Sequence, residues 1–176
     1  MGFLAVDGLA ERTGTRVTRR EAKSYTGQGE LAGQEVILAK PQTMMNLSGL
    51  AVRMLLDRCR CDRTDMIVLH DDVDLPWGML RIRQRGIHSA HNGLKSVIDA
   101  VGTDEFIRVR MGVQPPQIWG DRADYVLCPM GKAERQLAGQ TVAEAVRAVE
   151  TILTEGVAKA MSKFNRRVPP AEEELG

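Results

Sequence analysis

The stretch Asp65-Met66-Ile67-Val68-Leu69-His70-Asp71-Asp72 decides the class of fold. Four consecutive apolar residues bounded by acidic ones are the pattern of a strand buried on both faces. Beyond the turn at Pro76-Trp77-Gly78, Met79–Arg85 alternates, with Leu80 and Ile82 on one side and Arg81, Arg83 and Arg85 on the other. That alternation predicts a strand with a basic face. Asn92–Val101 places Leu94, Val97, Ile98 and Val101 at helical spacing. Phe106–Val113 alternates again, Ile107, Val109 and Met111 against Arg108 and Arg110, and stops before Pro115-Pro116. A long helix follows from Lys132 to about Thr154, and Gly156 separates it from a shorter one reaching Phe164.

Towards the N-terminus, Leu50, Met54 and Leu55 predict a helix over Ser48–Arg58, and Lys40-Pro41-Gln42-Thr43 breaks the pattern before it. Gln34–Ala39 reads as a strand around Val36-Ile37-Leu38, and Thr26–Gly29 as a turn. Phe3, Val6, Leu9 and Ala10 mark a helix that Gly14 ends, so the chain opens directly into a helix. Strands alternating with helices predict an α/β fold with at least four strands: one domain over residues 1–168, a twisted mixed and largely parallel sheet flanked by helices. The acidic, proline-containing residues 169–176 are expected to fray.

Composition narrows the function. The 176 residues suit one domain, and 43% hydrophobic with 27% charged residues excludes global disorder. Twenty-four Lys+Arg against 23 Asp+Glu excludes a globally basic nucleic-acid binder and leaves local patches open. The apolar runs are too short to cross a bilayer and no basic-then-apolar leader precedes them, so a cytoplasmic protein is expected. Cys59 and Cys61 stand one residue apart, unlike a zinc knuckle, and with Cys128 they read as reduced thiols.

Few motifs carry chemistry. Gly27-Gln28-Gly29-Glu30-Leu31-Ala32-Gly33 has the wrong final spacing for a dinucleotide fingerprint. Asp71, Asp72 and Asp74 follow the buried strand, where open α/β sheets keep their ligand crevice. A carboxylate there can fix a histidine tautomer, stabilise its charged form or bind a divalent metal, or else the run is a solvated turn. Arg81, Arg83 and Arg85 with Arg108 and Arg110 suit phosphate oxygens at fixed strand spacing, or form an ordinary charged face. Asn92 is a natural cap for the helix that follows, and that helix start can also hold a phosphate or a developing oxyanion. In the loop Met44-Met45-Asn46, Met45 reads as core, while Asn46 either caps the next helix or presents its amide to a ligand.

Three segments in order resemble the signatures of bacterial peptidyl-tRNA hydrolases. They are Lys40-Pro41-Gln42-Thr43-Met44-Met45-Asn46-Leu47-Ser48-Gly49, His70-Asp71-Asp72-Val73-Asp74-Leu75-Pro76, and His91-Asn92-Gly93-Leu94-Lys95-Ser96 followed by Arg108-Val109-Arg110-Met111-Gly112. The resemblance runs from Gly2 to about Asn165. It implies hydrolysis of the ester between a peptide and the 3′ end of tRNA, by a monomer without metal or cofactor. Asp71 is implied to orient and charge the catalytic histidine. Asn46 and Asn92 are implied to hold the terminal adenosine and ester, His91 to line the cleft, and Met44 to pack on the tRNA end. Arg83 and Arg110 are implied to clamp the 5′ phosphate.

Two departures stand out. The family's leading strand and its histidine-bearing element, roughly twenty residues, have no counterpart, and none of His70, His88 and His91 takes that histidine's place. Either the start lies upstream of Met1, or the protein is a tRNA-binding relative without its base. The family's glycine-rich run before His91 is replaced by Arg85, Ile87, Ser89 and Ala90, with Gly86 kept, which stiffens that loop.

Overall fold

A computed structural model describes residues 1–86, 91–114 and 122–165. Helix α1 (Gly2–Thr13) buries Ala5, Val6, Leu9 and Ala10 and ends at Gly14, whose φ of 65° is the left-handed stop that glycine takes readily. Three antiparallel strands follow: β1 (Arg19–Glu21), β2 (Ser24–Leu31) and β3 (Gln34–Pro41). The turns between them are two residues long, Ala22-Lys23 and Ala32-Gly33, all four at positive φ. That is the twist a tight hairpin requires.

Thr26–Gly29, expected to be a turn, lies inside β2. Its glycines serve a close crossing instead. A Cβ on Gly27 would stand 2.5 Å from the Arg16 carbonyl oxygen, and one on Gly29 would meet the Thr15 hydroxyl.

Helix α2 (Ser48–Cys59) follows a single 3-10 turn, Met45–Leu47. The second sheet has the order β4 (Ile67–Pro76), β6 (Ile107–Gln114), β5 (Leu80–Arg83), with β4 parallel and β5 antiparallel to β6. Helices α3 (Asn92–Val101), α4 (Arg122–Leu127), α5 (Lys132–Glu155) and α6 (Val157–Phe164) complete the chain. The architecture is α/β, with one antiparallel and one mixed sheet flanked by helices. The strands form two three-stranded sheets, and β4–β6 is the parallel pairing among the described residues. Strand β4 outruns its apolar stretch: the ladder to β6 continues through Asp72 and, after a bulge, resumes at Pro76. The aspartates therefore stand on the strand, not in a loop after it, and Ile67, Val68 and Leu69 are half-buried rather than covered on both faces.

The two faces of this sheet have different covers. Leu80, Ile82, Val109 and Met111 pack with α1, α5 and α6 through Val6, Leu9, Val149, Ile152 and Phe164. Val68 on the other face joins Phe106 and the α3 residues Leu94, Val97 and Val101, backed by Val52 and Leu56 of α2. Helices α2 and α3 touch at Gly49, where an added Cβ would lie 1.9 Å from the Ser96 carbonyl oxygen. Gly49→Ala is expected to cost about 2–3 kcal/mol, because backbone must shift to relieve the clash. Urea unfolding measures this, and a loss below about 0.5 kcal/mol would show that the helix pair slides freely. No described helix is long and apolar enough to cross a membrane. Residues 169–176, the domain limit at 168, and Ile87, Ser89 and Ala90 lie outside the described residues.

Candidate active site

His70 and His91 meet where the middle of β4 passes the start of α3. Alternation along β4 sends Val68, His70 and Asp72 to the α3 face and Leu69 and Asp71 to the other. The ladder sets Arg110 of β6 opposite His70 and, on its other side, opposite Arg81 of β5. His70, Arg110 and Arg81 thus form one row across three strands.

His70 is 5% exposed. Its Nδ1 lies 2.7 Å from the Asp71 carbonyl oxygen, which can only accept, so Nδ1 carries the proton. Burial, then the neighbouring His91, push its pKa down to about 4; the Asp71 carbonyl and the charges of Asp71 and Asp72 oppose the shift. The ring is neutral at pH 7. Its Nε2 is buried and has no hydrogen-bond partner among the described residues.

The folded ring gains a proton near pH 4, whereas an unfolded histidine gains it near 6.5. Between these values the unfolded chain holds the extra proton, so the contribution to stability is whole above pH 6.5 and is lost as pH falls towards 4. The loss amounts to about 3 kcal/mol. Urea midpoints followed through that window are expected to fall in the wild type and to fall less in His70→Phe; equal slopes would place the acid sensitivity elsewhere.

Asn92 was the expected cap of α3, but His91 takes that position, its Nδ1 accepting the Leu94 amide at 3.0 Å. Asn92 is already the first helical residue, so its side chain is exposed and makes no hydrogen bond among the described residues. The His91 ring meets His70 edge-on, with centres 4.8 Å apart and planes at 61°. Met45, expected in the core, is 57% exposed. It lies over the start of α3, where a Cβ on Gly93 would stand 2.4 Å from its sulfur. This contact seats the turn bearing Asn46 against the turn bearing Asn92. Asn46 does not cap α2; its amide is exposed, and Met44 beside it is 73% exposed.

The carboxylates divide by face. Asp71 is half-buried, and its carboxylate has no hydrogen-bond partner among the described residues. Asp72 is buried and fully engaged, accepting Arg110 Nε at 2.5 Å and the Asp74 amide at 2.9 Å.

The arginines also diverge. Arg108 was expected on the exposed basic face, but it is 2% exposed. It donates to the carbonyls of Gly86 and Asp104 at 2.6 and 2.7 Å, with its guanidinium 4.6 Å from the Phe106 ring centre. Its work is to hold the segment around Gly86 to the strand. Arg83 and Arg85 are exposed, and neither has an ion-pair partner among the described residues. His70 was missed as a member of the site; its i, i+2 spacing with Val68 and Asp72 was the available signal.

The sequence matches the family model for peptidyl-tRNA hydrolase over residues 1–172. It is 46% identical over 173 residues to the peptidyl-tRNA hydrolase of Koribacter versatilis (strain Ellin345), covering 98% of this chain and 86% of that protein. The Solibacter usitatus (strain Ellin6076) peptidyl-tRNA hydrolase is 45% identical over 174 residues, 99% of this chain and 89% of its own. The crystal structure of peptidyl-tRNA hydrolase from Acinetobacter baumannii superposes with a TM-score of 0.85 at 27% identity, over 93% of this chain and 83% of the other. The family match lends no support to the expectation of a missing leading segment. By sequence along nearly its whole length and by fold, the chain belongs to the peptidyl-tRNA hydrolase family.

Proposed function

We propose that this protein cleaves the ester joining a peptide, or an N-blocked amino acid, to the 3′ end of tRNA, acting in the cytoplasm as a monomer. The supporting observation is the Asp71 carboxylate, half-buried in the middle of β4 and free of hydrogen-bond partners among the described residues. A carboxylate so placed fixes the tautomer of a histidine base and stabilises its charged form as it takes a proton from water. Neither His70 nor His91 is bonded to this carboxylate, which leaves it open to an imidazole. The amides of Asn46 and Asn92 face solvent beside one another's turns, suited to binding the terminal adenosine and the ester carbonyl, with Met44 as an apolar rest for the tRNA end.

A second reading, tRNA binding without hydrolysis, is favoured by the lack of an imidazole on Asp71 among the described residues. Incubation with N-acetyl-aminoacyl-tRNA separates the two. Release of the N-acetyl-amino acid with intact tRNA supports the hydrolase; retained tRNA with no release supports the second reading.

Phosphate contacts fall to Arg83 and Arg110 in this proposal. Arg83 is exposed and unpaired among the described residues, whereas Arg110 already serves Asp72. Arg83→Ala is expected to raise KM about tenfold, leave kcat within about twofold and reduce the salt slope of tRNA binding by about one. An unchanged salt slope would remove Arg83 from the tRNA contact.

A further inference from the structure

The two histidines of the site carry complementary protons. Because the Asp71 carbonyl can only accept, His70 holds its proton on Nδ1 and presents a bare Nε2 lone pair. Because His91 Nδ1 accepts the Leu94 amide, the neutral His91 ring holds its proton on Nε2. One ring therefore offers a donor and the other an acceptor, with centres 4.8 Å apart. A ring nitrogen lies about 1.1 Å from its ring centre, so an N–H···N bond of ordinary length needs centres about 5 Å apart. The His70 acceptor is buried and otherwise unpartnered among the described residues, a state that is costly until a donor arrives.

We infer that His70 is a positioning residue of this site, its Nε2 accepting the Nε2 proton of His91 and so holding the His91 ring across the start of α3. Closing the bond needs only a rotation of the His91 ring that keeps its Nδ1 on the Leu94 amide. His91 is then tied at both nitrogens and cannot swing out of the cleft. The chain from the Asp71 carbonyl through His70 and His91 to the Leu94 amide links the middle of β4 to the first turn of α3. That link sets the distance between the strand bearing Asp71 and the helix bearing Asn92. Asp71, Asp72, Arg110 and His91 are the charged or titratable groups around His70, and Asp72 and Arg110 neutralise one another. Neither imidazole then needs a charge to make the bond.

The part of this that concerns catalysis rests on the hydrolase reading, so the deciding measurement does not use activity. In the 15N-labelled full chain near neutral pH, scalar coupling between the Nε2 nitrogens of His70 and His91 through the shared proton is expected, with a slowly exchanging His91 Nε2 proton. Absence of the coupling, with that proton exchanging at the rate of free imidazole, overturns the inference. Kinetics on peptidyl-tRNA give the second arm. His70→Phe is expected to lower kcat/KM about tenfold or more, and His70→Gln, which keeps an acceptor oxygen, to restore it to within about threefold of wild type. Equal rates in His70→Phe and wild type overturn the positioning role. A wild type that binds tRNA but releases no amino acid defeats the hydrolase reading, while the coupling still decides the histidine pair.

Discussion

Asp71→Asn is expected to slow release of the N-acetyl-amino acid by about 10²- to 10⁴-fold, the usual weight of a general base and its orienting partner. The substitution keeps shape and volume and removes one charge. Asp71 accepts no hydrogen bond through its carboxylate among the described residues, so the fold loses nothing by it. The unfolding midpoint should therefore stay close to the wild-type value while kcat falls and KM barely moves. The pH profile adds a second reading: losing the negative charge lowers the pKa of the imidazole it serves, which moves the acid limb of kcat/KM to lower pH. Equal single-turnover rates for Asp71→Asn and wild type would end the proposed role of this carboxylate.

Arg110→Leu has its large effect on stability. The Asp72 side chain is 2% exposed and that of Arg110 24%, so removing the arginine leaves a carboxylate buried without its counter-charge. Breaking such a pair costs about 3–5 kcal/mol, much more than the value of the pair against an apolar replacement. The remaining partner of Asp72, the Asp74 amide, does not neutralise it. Arg110→Leu alone is expected to lose most of that amount in urea unfolding. Asp72→Asn together with Arg110→Leu should recover a large part, because no charge is then stranded. If the single variant loses less than about 1 kcal/mol, the pair behaves as an exposed ion pair and contributes little to holding β4 against β6. The same substitution tests the tRNA contact: if Arg110 serves Asp72 alone, KM for peptidyl-tRNA will not change in those molecules that remain folded.

Most helices and strands were legible because their patterns are local. Leu94, Val97, Ile98 and Val101 predict α3, and the alternation of Leu80 to Arg83 predicts β5, from spacing alone. Glycine read less well, since a glycine marks either a turn or a close approach. Gly27 and Gly29 read locally as a turn, but they admit the Thr15-Arg16 segment across β2. Nothing local distinguishes these two causes, and the contacting residues lie more than ten positions away in the chain.

The sequence by itself determined the alternation of most elements and the family. Each of these depends on the order and spacing of residues, which folding does not alter. Tertiary structure alone decided what each side chain does. Arg83 and Arg108 sit at equivalent places in alternating strands and are register partners, yet one is exposed and the other buried under two carbonyls. Alternation states that two residues share a face; it is silent on what covers that face. The meeting of His70 with His91 and the pairing of Asp72 with Arg110 arise from the same cause. Both join a strand to another element brought beside it by packing of apolar side chains elsewhere, and burial then raises the cost of leaving any of these polar groups alone.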